Sequence, residues 1–408
     1  MEVRRAAELA ARNSYGRLVA YLAVRSHDIV AAEDALGDAF LAALKTWPTR
    51  GVPDNPEAWL LVTARRRLLD TERRTQTHAK ALQMLTLSGV AMPEDLPKDE
   101  SSFPDERLKL LFICAHPAIA VAIRTPLMLQ TVLGLNAAQI ASAFLVAPTT
   151  MGQRLVRSKA KIRDAGIPFK LPDIQDLPER LEAVLAAIYA AYTTSWDGIP
   201  GGDPRHRGLA EEAIWLARLC VQQLPQAPEA KGLLALMLYC ESRQQARRTA
   251  AGDYVPLLEQ DTTLWSPALI AAAERELAQA SIHGQLGRFQ LEAAIQSVHA
   301  QRAVTQQTDW ETLAQLYAGL VQLSPTIGAW VGHAAAIAEA EDPQAGLSQL
   351  AQLPAERVQN YQPYWALKAH LLKRLRCKDA AQQAYSQAIG LTEEPAIRNF
   401  LQRAATEQ

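Results

Sequence analysis

Two runs of basic residues are the part of this 408-residue sequence whose types and spacing could do recognisable chemistry. Between Met151 and Arg163, Arg154, Arg157 and Lys161 recur at three- and four-residue spacing, joined by Lys159 and Arg163, with no acid among them. On a helix that spacing gathers cations on one face. A DNA backbone binds such a face because each neutralised phosphate releases condensed counterions, and a helix in the major groove turns Thr150, Gln153 and Arg154 toward base edges. The second run, TARRRLLDTERRTQTHAK, sets Arg65, Arg66, Arg67, Arg73, Arg74 and Lys80 against Asp70 and Glu72, a local +4. Pairing with a helix C-terminal dipole accounts for a few of these cations but hardly for all, so a second nucleic-acid contact is the better reading. A merely solvated cationic surface is the plain alternative for either run.

Catalytic constellations are missing from the sequence. None of the eight histidines forms H-E-x-x-H, or H-x-E with a C-x-x-C, and neither G-x-x-x-x-G-K-[ST] nor G-x-S-x-G occurs. His116 and His299 read as hydrogen-bonded structural residues, and the glycine-rich SWDGIPGGDP, outside any strand-to-helix setting, reads as a connection. Cys114, Cys220, Cys240 and Cys377 lie far apart, which supports neither a disulfide framework nor a zinc module and fits a reducing cytoplasm. The expectation is a non-enzyme with no cofactor and no metal. The start, MEVRRAAELAARNSY, lacks the apolar stretch of a signal peptide, and the longest apolar run, residues 183–192, is too short to span a bilayer. No membrane partner and a cytoplasmic location are expected.

The elements that must hold the basic runs are helices. Period-two alternation of β-branched residues is scarce, whereas Ala, Leu, Gln, Glu and Arg recur with helical spacing, so the fold class expected is all-α. Residues 136–163 read as a helix-turn-helix: a short helix, a break at Ala147 and Pro148, then a second helix. Ile140, Ala141 and Phe144 form one apolar face, and Met151, Leu155 and Ile162 the stripe that meets it. Leu36, Phe40, Leu44 and Trp47 step by four, four and three, which predicts the core face of a helix over 31–47 ended by Pro48. Asn55 followed by Pro56 is an N-cap with proline at the first helical position, opening a helix to about Arg74.

Domain organisation follows. Residues 1–80 hold the first helices, and 81–106 form an acidic linker in which Glu94, Asp95, Asp99, Glu100, Asp105 and Glu106 are opposed by Lys98 alone. Residues 107–171 carry the helix-turn-helix, and GIPFKLPDIQDLP marks a boundary near Pro172. Residues 172–408 are a helical array in which Tyr317, Leu350 and Tyr385 lie 33 and 35 residues apart, near the tetratricopeptide period. Ala381, Tyr385 and Ala388 have the small, aromatic, small spacing of such a repeat's second helix. Stacked helix pairs would leave a groove suited to holding a protein or peptide. The formal net charge of -1 divides across Pro172: residues 1–171 carry 23 basic and 17 acidic side chains, the remainder 19 and 26. A positive half and a negative half suggest two kinds of partner.

Taken in order, AEDALGDAFLAALKTWP, NPEAWLLVTARRRLLDTERR, the acidic linker and the helix-turn-helix resemble an extracytoplasmic-function sigma factor of the sigma-70 family. RLKLLFICAHPAIA, VPLLEQDTTLW and GRFQLEAAIQSVHAQ look like the subgroup with a long carboxy-terminal helical extension. The resemblance implies an initiation factor that lends promoter specificity to RNA polymerase core. It implies that Asp34, Leu36, Asp38 and Phe40 dock on the β′ clamp helices, and that region four meets the β flap. By the same resemblance the helix from Asn55, with Arg65, Arg66, Arg67, Arg73 and Arg74, recognises and opens the minus-ten element. Residues 136–163, with Thr150, Gln153, Arg154, Arg157, Lys159 and Lys161, read the minus-thirty-five element. The chain departs from the family pattern at Gly37, where a longer polar residue is usual, and at Arg66, in the place of a common asparagine. The alternative left open by the residues is a helix-turn-helix transcriptional regulator whose tetratricopeptide-like half binds a peptide or small effector, with no polymerase role.

Overall fold

Residues with high helix propensity, broken by capping side chains and prolines rather than by strand-forming runs, build this chain. The computed structural model describes residues 2–82, 105–144, 146–173, 175–196 and 208–406. The fold is all-α; among the described residues the β-type pairing is an isolated bridge between Arg248 and Tyr254. Two compact units are formed, one drawn from Met1–Trp196 and Pro204–Leu216, the other from Asp197–Asp203 and Ala217–Gln408.

The first unit opens with α1 (Glu2–Ser26), α2 (Ile29–Arg50) and α3 (Pro56–Leu82), packed on one another around Leu18, Leu22, Ile29, Leu36, Trp47 and Leu60. Asp28 starts α2 by accepting from the Val30 and Ala31 amides at 2.8 and 3.2 Å. Two expectations for α2 are corrected. It runs through Pro48 to Arg50 instead of stopping, because a proline in the last turn removes only one hydrogen bond. Its buried face is Ala32, Leu36, Ala39, Ala43 and Trp47, while Phe40 is half-buried and Leu44 is 46% exposed. Trp47 closes the core edge-on against Trp59, with ring centroids 5.5 Å apart. Asn55 accepts from the Ala58 amide at 3.0 Å and α3 continues to Leu82, beyond the expected end near Arg74.

After the stretch 83–104, which lies outside the described residues and holds most of the acidic linker, come α4 (Arg107–Cys114), α5 (Val121–Thr131), α6 (Ala137–Ala143) and α7 (Pro148–Asp164). The boundary expected near Pro172 is not where the first unit ends. The next helix, α8 (Leu177–Trp196), packs on α5 and α4, where Arg180 donates through Nε and Nη2 to the Phe112 carbonyl and Arg124 pairs with Glu179 at 3.1 Å. Buried arginines need such partners, and the partners of α8 lie in α4 and α5. From the start of α9 (Leu209–Gln223), Glu212 pairs with Arg107, whose guanidinium lies 4.1 Å from the centroid of the Trp215 ring.

The second unit is a succession of helices: α10 (Pro228–Ser242), α11 (Pro267–Ser281), α12 (Arg288–Thr305), α13 (Trp310–Leu323), α14 (Ile327–Ala340), α15 (Pro343–Leu350), α16 (Ala355–Val358), α17 (Gln362–Arg374), α18 (Lys378–Leu391) and α19 (Pro395–Thr406). Most pack chiefly on a helix one or two places away in the chain, as α12 does on α10. Leu350, Ala381, Tyr385 and Ala388 are buried, as their spacing predicts, and Tyr317 is half-buried. One long-range closure joins the ends of this unit: Arg248 pairs with Glu394, and Tyr254 meets Phe400 edge-on at 5.5 Å.

Candidate nucleic-acid and polymerase interface

The helix-turn-helix is fixed from inside. Asn136 caps α6 by accepting from the Ala138 and Gln139 amides at 3.0 and 2.9 Å, and the Gln139 side chain accepts from the Asn136 amide in return. Pro148 starts α7 at a position where no N–H is missed. Ile140 and Ala141 meet Met151, Leu155 and Ile162 in the core, whereas Phe144, expected on the same apolar face, is 37% exposed.

With that stripe pinned inward, Gln153, Arg154, Arg157 and Lys161 stand exposed and Thr150 is half-buried. Val156 stands among them at 66% exposure. The basic pattern drew attention past it; an apolar residue three positions after Gln153 on an otherwise polar face is the signal that could have found it. Lys159 is the correction. It is 7% exposed, and its Nζ donates to both carboxylate oxygens of Glu33 in α2 at 2.6 and 2.7 Å, so it does not belong to the free basic face. Burial pushes the Glu33 carboxyl up, and the lysine charge opposes that shift. Arg163 is half-exposed and lies 3.0 Å from Asp164 and 3.7 Å from Asp28.

On α3, Arg66 and Arg67 are exposed and Arg65 is half-buried, following the buried Leu60, Leu61 and Ala64 that anchor the helix. The side chains of Arg73, Arg74 and Lys80 lie outside the described residues. On α2, Asp34 and Asp38 are exposed together with Leu41 at 57% and Leu44, an acidic and apolar strip along one side of the helix. Leu36, expected to touch the polymerase, is fully buried and supports the strip from beneath. Leu41 was missed, because the four-residue steps through Leu36 and Leu44 drew the apolar face one position away.

His116 is hydrogen-bonded as expected, while His299 is held by a ring contact. His116 Nδ1 accepts from the Ala118 amide at 3.1 Å, and His299 packs edge-on to Trp310 at 6.0 Å. All four cysteines are free, and burial pushes the Cys114 and Cys220 thiols up to about 12, which keeps them protonated. Among the described residues, no helix is long and apolar enough to cross a membrane.

Comparison with known proteins bears on the α1–α3 helices. A family model described as sigma-70 region 2 matches residues 12–78, which spans α2 and most of α1 and α3. A second model, described as a family of unknown function (DUF6596), matches residues 180–281, starting at the arginine that holds α8 to α4. "Uncharacterized protein R00370" of Rhizobium meliloti (strain 1021) is 37% identical over 383 residues, covering 92% of this chain and 90% of the relative. No solved structure matches the chain.

Proposed function

We propose, on the match of residues 12–78 to sigma-70 region 2, that this chain acts as an extracytoplasmic-function sigma factor carrying a regulatory carboxy-terminal extension. In this reading the α2 strip of Asp34, Asp38, Leu41 and Leu44 docks on the β′ clamp helices of RNA polymerase core. Arg66 and Arg67 on α3 hold the minus-ten strand, and Gln153, Arg154, Val156, Arg157 and Lys161 on α7 enter the major groove at the minus-thirty-five element.

The observation that carries the reading is the pairing, in one unit, of the region 2 helices with an acid-free exposed face on α7. Each of the surfaces suits one task. Arginines give counterion release and bidentate contacts to guanine, and Val156 offers an apolar patch that fits a thymine methyl group. Opening a duplex exposes bases, and cationic side chains that hold the backbone offset part of the unstacking cost. Such a factor performs no covalent step. The α10–α19 array, tetratricopeptide-like in its period, would hold the protein or peptide that signals to the factor.

Reconstitution tests the reading. The purified chain with core polymerase should initiate at a promoter selected from a random library, and failure to bind core at all would sink the proposal. Arg154→Glu with Arg157→Glu should abolish duplex binding while core binding persists.

A further inference from the structure

Between residues 172 and 408 the chain carries 26 acidic side chains against 19 basic ones, yet among the described residues no carboxylate pairs with Arg243 or Arg302. Arg243, at the end of α10, donates through Nη2 to the side-chain oxygen of Gln296 on α12, and the same nitrogen lies 3.8 Å from the Cys240 sulfur. Arg302 of α12 is 9% exposed; its Nη2 donates to the Gln260 carbonyl at 2.9 Å, and its guanidinium lies 5.0 Å from the centroid of the Trp265 ring. His299 stands between them: Gln296, His299 and Arg302 recur every three residues, which turns them to one side of α12. Glu292, earlier on the same helix, is taken by Arg288 at 2.7 Å. Arg243, Gln296 and His299 are half-buried, so this side of α12 is reached from solvent.

We propose that Arg243, Arg302 and His299 form a binding site for a phosphoryl group, the dianionic end of a phosphate monoester, beside the end of α10. The inference deepens the reading above of the α10–α19 array as the holder of a signalling partner, and rests on it for the role of the site. Buried charges are normally paired, and a guanidinium has five N–H donors. The Gln260 carbonyl takes one donor of Arg302, which ties the 257–265 segment to α12 but leaves the charge uncompensated. Gln296 and Cys240 are neutral partners for Arg243 in the same way.

The charges select the ligand. Both guanidinium groups are positive, and the imidazole adds no charge: burial first, then the two arginines, hold it down at about 3. A neutral imidazole offers one N–H to an oxyanion. A phosphate monoester carries about -1.5 to -2 at neutral pH and presents three acceptor oxygens, whereas a carboxylate carries a single charge on two oxygens. The planar fork of arginine fits either group, so charge rather than shape decides between them.

Inorganic phosphate and N-acetyl-phosphoserine amide are the probes, with acetate at the same ionic strength as the control, each added to the full-length chain at neutral pH. Both phosphates should move the His299 ring resonances saturably and raise the melting temperature, because they bind the folded chain alone. Acetate should do neither. His299→Gln identifies the resonances. Arg243→Gln should weaken phosphate binding roughly tenfold, and Arg243→Lys, which keeps the charge and loses the fork, should weaken it less. Helical circular dichroism confirms that each variant is folded. Resonances that stay still with both phosphates, acetate that moves them as far, or a folded Arg243→Gln that binds phosphate like the wild type overturns the proposal. If Arg243→Lys alone folds, undiminished binding of phosphate to it does the same. Tighter binding of the phosphoserine derivative points to a phosphorylated side chain of a partner. Equal binding points to a free phosphate, which keeps the site and defeats the partner-holding role. None of these readouts involves polymerase, so a chain that fails to bind core defeats the sigma-factor reading and leaves the site to its own titration.

Discussion

The two units are built on opposite principles. In the amino-terminal unit, partners far apart in sequence converge: Lys159 on Glu33, Arg107 on Glu212, and Arg180 on the Phe112 carbonyl. In the carboxy-terminal unit, helices pack mainly on others one or two places away in the chain, around separate cores such as Leu291, Ile295 and Leu313, then Leu350, Tyr364 and Leu371, then Ala369, Tyr385 and Leu401. The first arrangement fails as a whole when one member is lost. The second sums contributions from neighbours, as stacked helical arrays do, with the Arg248–Glu394 closure joining its ends. The first arrangement holds its side chains in fixed register, whereas the second tolerates graded loosening.

The largest test of that contrast is truncation. A chain ending at Leu171 loses α8, whose Leu181, Val184, Leu185 and Ile188 are buried, at about 2 kcal/mol each for the lost burial. It also strands the Phe112 carbonyl. Such a fragment should fail to fold, while a chain ending at Leu216 should keep a cooperative urea transition. If the fragment ending at Leu171 melts normally, the amino-terminal unit is more modular than its contacts imply.

Next is Leu350→Ala. Leu350 is 1% exposed in the core with Tyr364 and Leu371, so the substitution should cost about 3 kcal/mol. Hydrogen exchange should loosen around α14, α15 and α17 and leave α1–α7 protected. Loosening spread equally through both units would break the comparison.

Smaller is the response to acid. Burial first, then Arg243 and Arg302, hold the His299 imidazole down at about 3, against about 6.5 in the unfolded chain. Between those values the unfolded state takes a proton that the folded state refuses. The carboxy-terminal unit is therefore fully stabilised by this group above pH of about 6.5 and loses that contribution as pH falls toward 3. His299→Gln should flatten the slope of its thermal melting temperature over that window, and an unchanged slope would place the imidazole in a wetter setting than the structure gives it.

Smallest is Gly37→Ala. An added Cβ at Gly37 meets nothing within 4 Å, so the change should stabilise α2 by about 0.5–1 kcal/mol through helix propensity alone. A destabilised variant would mean that the exposed strip of α2 depends on the glycine.

Much of the plan was legible in the residues because it depends on local chemistry. Asn136 with Gln139 announces a capping box, Asn55 with Pro56 a helix start, and Met151, Leu155 and Ile162 the inward stripe of α7. Arg154, Arg157 and Lys161 could be placed outward by elimination once that stripe was known. Lys159 could not. Its position on the helical wheel leaves it at the margin, and only the presence of Glu33, 126 residues earlier, decides that it is buried. Leu36 and Leu44 were likewise indistinguishable by periodicity, since which of two adjacent stripes faces inward is set by the helices α2 packs against.

By itself, then, the sequence determined that this chain is helical, where several helices of the first unit begin, that its two basic runs exist and that acidic residues separate them. Those are properties of a few adjacent residues and their hydrogen bonds. The tertiary structure alone decided that α8 completes the first unit rather than beginning the second, that Leu36 supports a surface instead of forming it, and that one lysine of the basic run is spent on Glu33. A charge stands exposed or is buried against a partner according to what lies across from it, and that is a fact of packing between residues the sequence keeps far apart.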